Sequence, residues 1–413
     1  MKNLGLTYCT NVHPLGDWAS WQDIIGHFGP AIRKELGWKK LPMGLWFPAA
    51  LVAELAGGSN QEAAASCRRI KDLLDRQNLS AFTCNAFPFG NFHDKVVKTK
   101  VYHPDWTQAE RLNYTVACAR ILADLIPQGG EGSVSTLPLG WRMDWTAEHS
   151  RAAARNLAAF VTVVREIAYK EGKVLRLGIE PEPGCIIETT DQVVAFWDAY
   201  LRPEAEKAGI TPEELAVFCG LCYDTCHQAV QFEEPIEVLK RLKANGIRIA
   251  KMQLSSAIEF KADPERATRE LRAKFVEERF LHQTRIRTPA GIIGFDDLPE
   301  ALAAAPIGQA DANDPYDLSN LWAHPWRVHF HVPIDAAELL DSSAVTTTRD
   351  DMLKAYRFAV SHDLCRHFEI ETYTWSVLPE AHRPKDDAEL AKSIAREIRF
   401  IADNTPPGAL ADA

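Results

Sequence analysis

Short apolar runs alternate with longer segments in which apolar residues recur at helical spacing, over most of the chain. The short runs predict strands and the longer segments predict helices. The predicted strands cover residues 4–10, 43–47, 81–85, 133–137, 175–180, 217–224, 247–254 and 367–372. The predicted helices cover residues 17–36, 61–77, 107–126, 146–172, 191–208, 235–245 and 386–402, with Asn60 as the N-cap of the second helix.

Strands separated by helices of this length pair in parallel through right-handed crossovers. Eight such units fit an α/β fold of the (β/α)8 TIM-barrel type. An open doubly wound sheet shows the same alternation, so the pattern favours the barrel without requiring it. The chain contains neither a GxGxxG fingerprint nor a P-loop, which argues against dinucleotide and nucleoside-triphosphate sites.

One long segment interrupts this rhythm between the last two predicted barrel strands. Within it, residues 327–334 (RVHFHVPI) also have the pattern of a strand. We therefore predict a single domain over residues 1–413, with a long insertion at about 259–335 between strands seven and eight. The last residues, 406–413, are predicted to form a frayed tail.

Composition narrows the class of protein. The chain has 413 residues, 46% of them hydrophobic, and a net charge of −10, which argues against a nucleic-acid partner because phosphate recognition needs a basic face. The N-terminus lacks the apolar segment of a signal peptide, and no apolar run is long enough for a membrane span. The nine cysteines are irregularly spaced, which is typical of a protein whose thiols are reduced. We expect a cytoplasmic protein, and its oligomeric state stays open.

Four predicted strands end in residues that bind metals. These residues are Glu180 and Glu182, Asp224 and His227, Gln253, and Glu369 and Glu371. In a closed barrel the carboxyl ends of all strands open on one mouth, so these side chains converge there. Carboxylate, imidazole and amide ligands suit Mn²⁺, Mg²⁺, Zn²⁺ or Fe²⁺. The sequence therefore predicts a divalent metal ion as cofactor.

Strand parity places Glu180 with Glu182, His329 with His331, and Glu369 with Glu371, but it does not choose within a pair. The run from Asp224 to His227 (DTCH) is the most specific piece. It can also be read as a helix N-cap followed by a surface histidine.

A zinc knuckle formed with Cys219, Cys222 and Cys226 is the other alternative reading of the DTCH segment. The odd spacing of Cys219 and Cys222 places them on opposite faces of one strand, which disfavours this reading. The loop at 87–93 (FPFGNFH) is predicted to cover a substrate with aromatic faces.

These motifs resemble those of a known superfamily. Glu at one strand end, DTCH at the next and Glu-Thr at the last resemble the xylose-isomerase-like barrels, which include sugar isomerases and epimerases and endonuclease IV. The segments LTYCTNVHP, KMQLSSA, HFHVP and EIETYTW together resemble, over nearly the whole chain, the EboE-type metabolite-traffic proteins.

The resemblance implies roles for individual residues. Gln253 stands where the sugar epimerases have a histidine, and a histidine of the HFHVP segment is the expected substitute. The implied metal ligands are Glu180, Asp224, Gln253, His331 and Glu371. The candidate catalytic residues are Glu180, Glu371 and His227. The candidate substrate contacts, which lie at or near predicted strand ends, are His13, Glu182, His227, His329 and Trp375.

The leading hypothesis is a metal-dependent isomerase or epimerase acting on a polyhydroxylated small molecule such as a sugar, a cyclitol or a sugar phosphate. In this hypothesis Glu180 and Glu371 move a proton at carbon, while His227 steadies the developing oxyanion. One alternative is a component that binds and transports a metabolite without turnover. The other is a phosphoester hydrolase of the endonuclease IV type, which predicts two or more metals. This chain has no histidine at the end of strand four (Leu137-Pro-Leu139), which disfavours the hydrolase.

Overall fold

The computed structural model of the protein describes residues 4–304 and 318–411. Eight parallel strands form one sheet in the spatial order β1-β14-β7-β6-β5-β4-β3-β2, and a parallel bridge between Cys9 and Gly44 joins its two ends. The predicted barrel is therefore confirmed. Numbered in chain order, its strands are β1 (Gly5–Tyr8), β2 (Leu41–Trp46), β3 (Leu79–Asn85), β4 (Glu131–Thr136), β5 (Val174–Ile179), β6 (Cys219–Asp224), β7 (Ile249–Leu254) and β14 (His367–Ile370).

Amphipathic helices bury their apolar faces against this sheet, and their ends follow local capping chemistry. Asp17 and Thr146 accept hydrogen bonds from the first turns of their helices, and Gly172 ends the second of these in the left-handed region. The predicted N-cap Asn60 is wrong by one residue, because Ser59 accepts the hydrogen bond from the Glu62 amide.

The helices of the described residues are α1 (Trp18–Leu36), α2 (Ala49–Ala56), α3 (Asn60–Arg76), α4 (Ala109–Leu125), α5 (Ala147–Glu171), α6 (Thr190–Phe196), α7 (Arg202–Lys207), α8 (Pro212–Phe218), α9 (Thr225–Val230), α10 (Pro235–Ala244), α11 (Arg269–Ala273), α12 (Leu298–Ala304), α13 (Arg349–Ser361) and α14 (Asp387–Asp403). A π-helical turn, Trp197–Leu201, joins α6 to α7. None of the helices in the part of the chain that the structure describes is both long and apolar enough to cross a membrane.

The insertion forms a second sheet of six antiparallel strands. Its spatial order is β10-β9-β11-β8-β13-β12. The strands are β8 (Ser256–Phe260), β9 (Thr284–Thr288), β10 (Gly291–Phe295), β11 (Trp326–Val332), β12 (Glu338–Leu339) and β13 (Ser342–Thr347). This sheet extends beyond the predicted bounds of about 259–335, because β8 follows β7 almost directly and β13 is too polar to be recognised as a strand. That all of residues 1–413 form one domain stays a prediction.

The predicted frayed tail, 406–413, is wrong over its described part. The Leu4 amide donates to the Ala409 carbonyl at 2.8 Å, and the Ala411 amide donates to the Leu4 carbonyl at 2.9 Å. Leu410 also packs against the core. These contacts tie the end of the chain to the beginning of β1, while residues 412–413 lie outside the described part.

A fully buried ion pair lies inside the barrel beneath its mouth. Lys251 Nζ lies 2.5 Å from Glu369 Oε1 and donates to Ser135 Oγ at 2.9 Å. The other oxygen of Glu369 accepts hydrogen bonds from Thr83 and Thr7. Glu369 is therefore used within the barrel interior, which leaves Glu371 as the residue of this parity pair that faces the mouth.

Lys251→Met tests this ion pair. Removing one partner of a buried pair leaves an uncompensated charge, so we expect a loss of about 3 to 5 kcal/mol in the free energy of unfolding, measured with urea. The control Lys240→Met, on the exposed surface of α10, leaves it nearly unchanged, because an exposed ion pair contributes little to stability. A loss below about 1 kcal/mol in Lys251→Met would contradict the assignment.

A buried carboxylate on α14 connects the ends of two strands. Glu397 Oε1 accepts a hydrogen bond from Thr372 Oγ1 at 2.6 Å and from the Ile334 amide at 3.0 Å. Thr372 follows β14 and Ile334 follows β11, so Glu397 joins the insertion to the barrel. Burial raises the pKa of Glu397 to about 8.

The raised pKa makes stability depend on pH. The folded state keeps a proton on Glu397 that the unfolded chain releases above its ordinary value of 4.5, so this contribution to stability falls as pH rises from there to about 8. Glu397→Gln keeps the acceptor oxygen and cannot ionise. Relative to the wild type, we expect it to be more stable at pH 9 than at pH 5 by on the order of a few kcal/mol in urea unfolding. An equal difference at both pH values would refute this role.

Candidate metal and active site

Three carboxylates from three barrel strands meet at the mouth. Glu180 follows β5, Asp224 ends β6 and Glu371 follows β14. One oxygen of each lies within 4.8 Å of the others, and all three residues are buried. Carboxylate oxygens gathered this closely form a candidate site for one divalent cation. The convergence expected from strand ends is therefore present.

Two of these carboxylates have oxygens that the protein leaves unsatisfied. Asp224 Oδ1 accepts hydrogen bonds from the His227 amide at 2.9 Å and from Ser255 Oγ at 2.7 Å. Among the described residues, Asp224 Oδ2 and Glu180 Oε2 have no hydrogen-bond partner although both are buried. Orphaned carboxylate oxygens of this kind fit a bound cation.

Glu371 is held by two amides from other strand ends. Its Oε1 accepts from Asn11 Nδ2 at 2.8 Å and from Asn85 Nδ2 at 2.9 Å. Burial, reinforced by the charge of Asp224, raises the pKa of Glu371, while burial and then the charges of Glu371 and Asp224 raise the pKa of Glu180. Burial and the neighbouring carboxylates therefore disfavour the charged form of both groups.

Three histidines lie beside the carboxylates. His227 comes from α9, and His329 and His331 come from the insertion strand β11. Their Nε2 atoms lie within 3.0 to 3.4 Å of one another. All three side chains line the same cavity. Parity had paired His329 with His331, and the structure brings both to the site.

Glu182 is the fourth buried acid of the mouth and is held by residues that the sequence did not indicate. Tyr102 donates to its Oε1 at 2.7 Å, and Gln283 Nε2 lies 3.3 Å from the same oxygen. Gln283 lies in the insertion, whose chain path does not follow the barrel pattern, so no sequence signal pointed to it.

The cavity is lined by acidic, imidazole and aromatic side chains. The cavity is small, with about 50 Å³ of space in which a water-sized sphere fits. Phe87 and Phe92 line it, as expected for the loop after β3. The other principal lining residues are Asn11, Asn85, Lys98, Tyr102, Glu180, Glu182, His227, Phe280, His329, His331, Glu371 and Tyr373.

Three residues predicted from the sequence do not take their expected places. His13 is buried against Phe28, with ring centroids 4.1 Å apart, and Trp375 is also buried, and neither lines the cavity. Gln253 Oε1 accepts a hydrogen bond from the Cys222 thiol, so this oxygen is not free for a metal. The structure therefore does not support His13 or Trp375 as substrate contacts, or Gln253 as a metal ligand.

Comparison with known proteins gives a match to structures alone. No protein-family model and no curated protein matches the chain. Matching solved structures include an IOLI protein with a zinc atom (11% identity, 96% of this chain, 97% of that chain, TM-score 0.47). They also include D-allulose 3-epimerase from Methylomonas sp. with D-allulose (12%, 98%, 98%, 0.46) and L-ribulose 3-epimerase (12%, 98%, 94%, 0.45). Identities and TM-scores this low carry no information about what this chain binds or catalyses.

His13→Gln tests whether this histidine belongs to the core. We expect a loss of about 1 kcal/mol in stability, because the stacking on Phe28 is lost, and unchanged affinity for Mn²⁺. Isothermal titration with Mn²⁺ and urea unfolding measure the two effects. Weakened Mn²⁺ binding by His13→Gln, comparable with that of Glu371→Gln, would return His13 to the site.

Proposed function

We propose that the protein is a metal-dependent isomerase or epimerase of the xylose-isomerase-like kind, acting on a polyhydroxylated small molecule. The observation that carries the proposal is the cluster of Glu180, Asp224 and Glu371, whose oxygens lie within 4.8 Å of one another at the base of the cavity. Mn²⁺, Mg²⁺, Zn²⁺ or Fe²⁺ suits this donor set.

Glu180, Asp224 and Glu371 would hold the metal, and His331 lies beside them, with Nδ1 3.7 Å from Glu371 Oε2. A bound divalent cation would polarise a substrate carbonyl as a Lewis acid. Asp224 is suited to a purely ligating role, because it already accepts two hydrogen bonds and its second oxygen has no partner among the described residues.

Glu180 and Glu371 are the proposed acid–base pair. Strands β6 and β7 lie between their strands in the barrel, so the two carboxylates approach a bound substrate from different sides. Glu371 takes a proton from the carbon beside the carbonyl, and Glu180 returns one. Both carboxylates line the cavity, which places them within reach of a bound substrate.

His227 does not fit the predicted role of oxyanion donor. Its Nδ1 lies 3.1 Å from the Pro181 carbonyl, which can only accept a hydrogen bond. The neutral ring has one N–H, and this contact uses it, so Nε2 presents a lone pair to the cavity. His227 is therefore a site residue in this proposal but not the oxyanion donor.

The walls of the cavity indicate the substrate class. Phe87, Phe92, Phe280 and Tyr373 offer aromatic faces on which the C–H faces of a sugar or cyclitol can pack. Glu182 has one oxygen without a partner among the described residues, which can accept a hydrogen bond from a substrate hydroxyl. This combination favours a small polyol over an extended polymer.

The finer proposal is an EboE-type role in the processing or traffic of a metabolite in the cytoplasm. It is supported by the combination of LTYCTNVHP, KMQLSSA, HFHVP and EIETYTW in one chain. The nine cysteines, all buried and none in a disulfide, agree with a cytoplasmic location.

Deuterium exchange at carbon tests the reaction. The protein is incubated in D2O with Mn²⁺ or Mg²⁺ and a panel of ketoses, sugar phosphates and cyclitol ketones, and NMR records deuterium at the carbon beside the carbonyl. We expect exchange with at least one substrate, and a loss of on the order of 10³-fold in Glu371→Gln because a general base is removed. Glu166→Gln, on the exposed surface of α5, is the matched control and keeps full activity.

The other outcomes decide between the functions. Retained exchange in Glu371→Gln would remove this residue from the mechanism. Tight binding of a co-purifying metabolite without exchange or conversion would show a carrier. Release of phosphate from a phosphoester without exchange at carbon would show a hydrolase.

A further inference from the structure

The three imidazoles of the mouth form a compact triangle. His227 Nε2 and His331 Nε2 lie 3.1 and 3.0 Å from His329 Nε2, and 3.4 Å from each other. Distances of this size require either hydrogen atoms between the nitrogens or a shared cation. The contacts of the opposite ring nitrogens distinguish these two possibilities.

Two of the rings use their N–H groups on backbone carbonyls. His227 Nδ1 lies 3.1 Å from the Pro181 carbonyl, and His331 Nδ1 lies 2.7 Å from the Glu371 carbonyl. A carbonyl oxygen only accepts, so both Nδ1 atoms carry the hydrogen. In the neutral ring, Nε2 is then a bare lone pair.

The third ring uses its N–H group on a side-chain amide. His329 Nδ1 lies 2.6 Å from Gln283 Oε1. The orientation of this amide is fixed, because Gln283 Nε2 donates to the Tyr102 hydroxyl at 2.9 Å and to the Pro183 carbonyl at 3.0 Å. His329 Nε2 is therefore a lone pair as well.

Three lone pairs that face one another repel unless a cation lies among them. Ligating histidines commonly donate the other ring N–H to a carbonyl or amide oxygen, as all three do here.

The size of the triangle fits a tetrahedral metal. Zinc bound at about 2.0 to 2.1 Å from three imidazole nitrogens places those nitrogens about 3.3 to 3.4 Å apart. The observed distances of 3.0 to 3.4 Å are close to this spacing. A three-histidine set with a fourth position open to a cavity is the arrangement of a catalytic zinc site.

We propose that His227, His329 and His331 form a second metal site, of the zinc type, beside the carboxylate cluster. The two sites adjoin, since Asp224 offers an oxygen within 4.8 Å of ligand atoms of Glu180 and Glu371, and an oxygen within 4.8 Å of ring nitrogens of His227 and His331. The Tyr373 hydroxyl lies 3.4 Å from His329 Nε2, and all four side chains line the cavity. A water or a substrate oxygen from the cavity would complete the coordination of a bound ion.

The proposal gives the insertion a chemical role and does not depend on the isomerase reaction. Two of the three ligands lie on β11, which pairs with β8 and β9 of the second sheet. The insertion therefore completes a metal centre that the barrel alone begins with His227.

Metal stoichiometry tests the proposal. Wild-type protein is stripped with a chelator, dialysed against Zn²⁺ or Co²⁺, and analysed by mass spectrometry of the metal content. We expect two ions per chain, and the strong visible absorption of four-coordinate Co²⁺. His329→Gln is expected to lose about one ion and most of this absorption. His367→Gln removes a buried imidazole at the opposite end of the barrel and keeps both.

One ion per chain in the wild type, or an unchanged Co²⁺ spectrum in His329→Gln, would overturn the second site. If His329→Gln does not fold, as judged by circular dichroism, the wild-type stoichiometry and spectrum decide alone. Failure here is distinct from failure of the proposed function. Two bound ions without exchange at carbon would contradict the isomerase proposal and support the second metal site. Exchange at carbon with only one bound ion would contradict the second metal site and support the isomerase proposal.

Discussion

Buried carboxylates with unsatisfied oxygens are costly, and the mouth of this barrel brings four acidic side chains together, Glu180, Glu182, Asp224 and Glu371. The buried cation closest to them in the barrel interior, Lys251, is already paired with Glu369. The excess negative charge at the mouth is the constraint on which the site depends. A divalent cation would satisfy it, and without one, burial and the neighbouring carboxylates raise the pKa values of Glu180 and Glu371.

The charged pair that stabilises the barrel interior and the carboxylates of the mouth lie in different layers of the barrel. Glu369 and Glu371 are two residues apart at the end of β14. Glu369 points into a closed layer with Lys251 and Ser135, whereas Glu371 reaches the cavity. Gly44 makes room for this layer, because a side chain at that position would overlap the Glu369 carboxylate. The ion pair of Lys251 and Glu369 thus holds β14 in place directly beneath Glu371, the next inward-facing residue, which meets the other carboxylates.

Much of the site was predictable because barrel strands place their carboxyl ends together whatever lies between them in sequence. This is why Glu180, Asp224 and Glu371 could be joined before any coordinates were known. Strand parity alone could not choose between Glu369 and Glu371, since both lie on one face. The resemblance favoured Glu371, and the structural difference comes from Lys251 on the neighbouring strand β7. The misplacement of His13 has a similar cause, because its packing against Phe28 depends on how α1 returns to the sheet.

The insertion marks the limit of prediction from a repeating pattern. Its antiparallel strands have no fixed relation to the barrel repeat, so neither its bounds nor Gln283 could be read from periodicity. The HFHVP motif nevertheless indicated a chemical role, and the structure places both of its histidines against His227. A segment added between the last two barrel strands therefore contributes directly to the lining of the mouth.

The central claim is that distant carboxylates share one cation at the barrel mouth. The most direct measurement is a crystal structure grown with Mn²⁺, with anomalous difference maps recorded at the manganese edge. The account predicts a peak about 2.0 to 2.4 Å from oxygens of Glu180, Asp224 and Glu371 together. A mouth without an anomalous peak, or carboxylates turned away from one another into solvent, would contradict it.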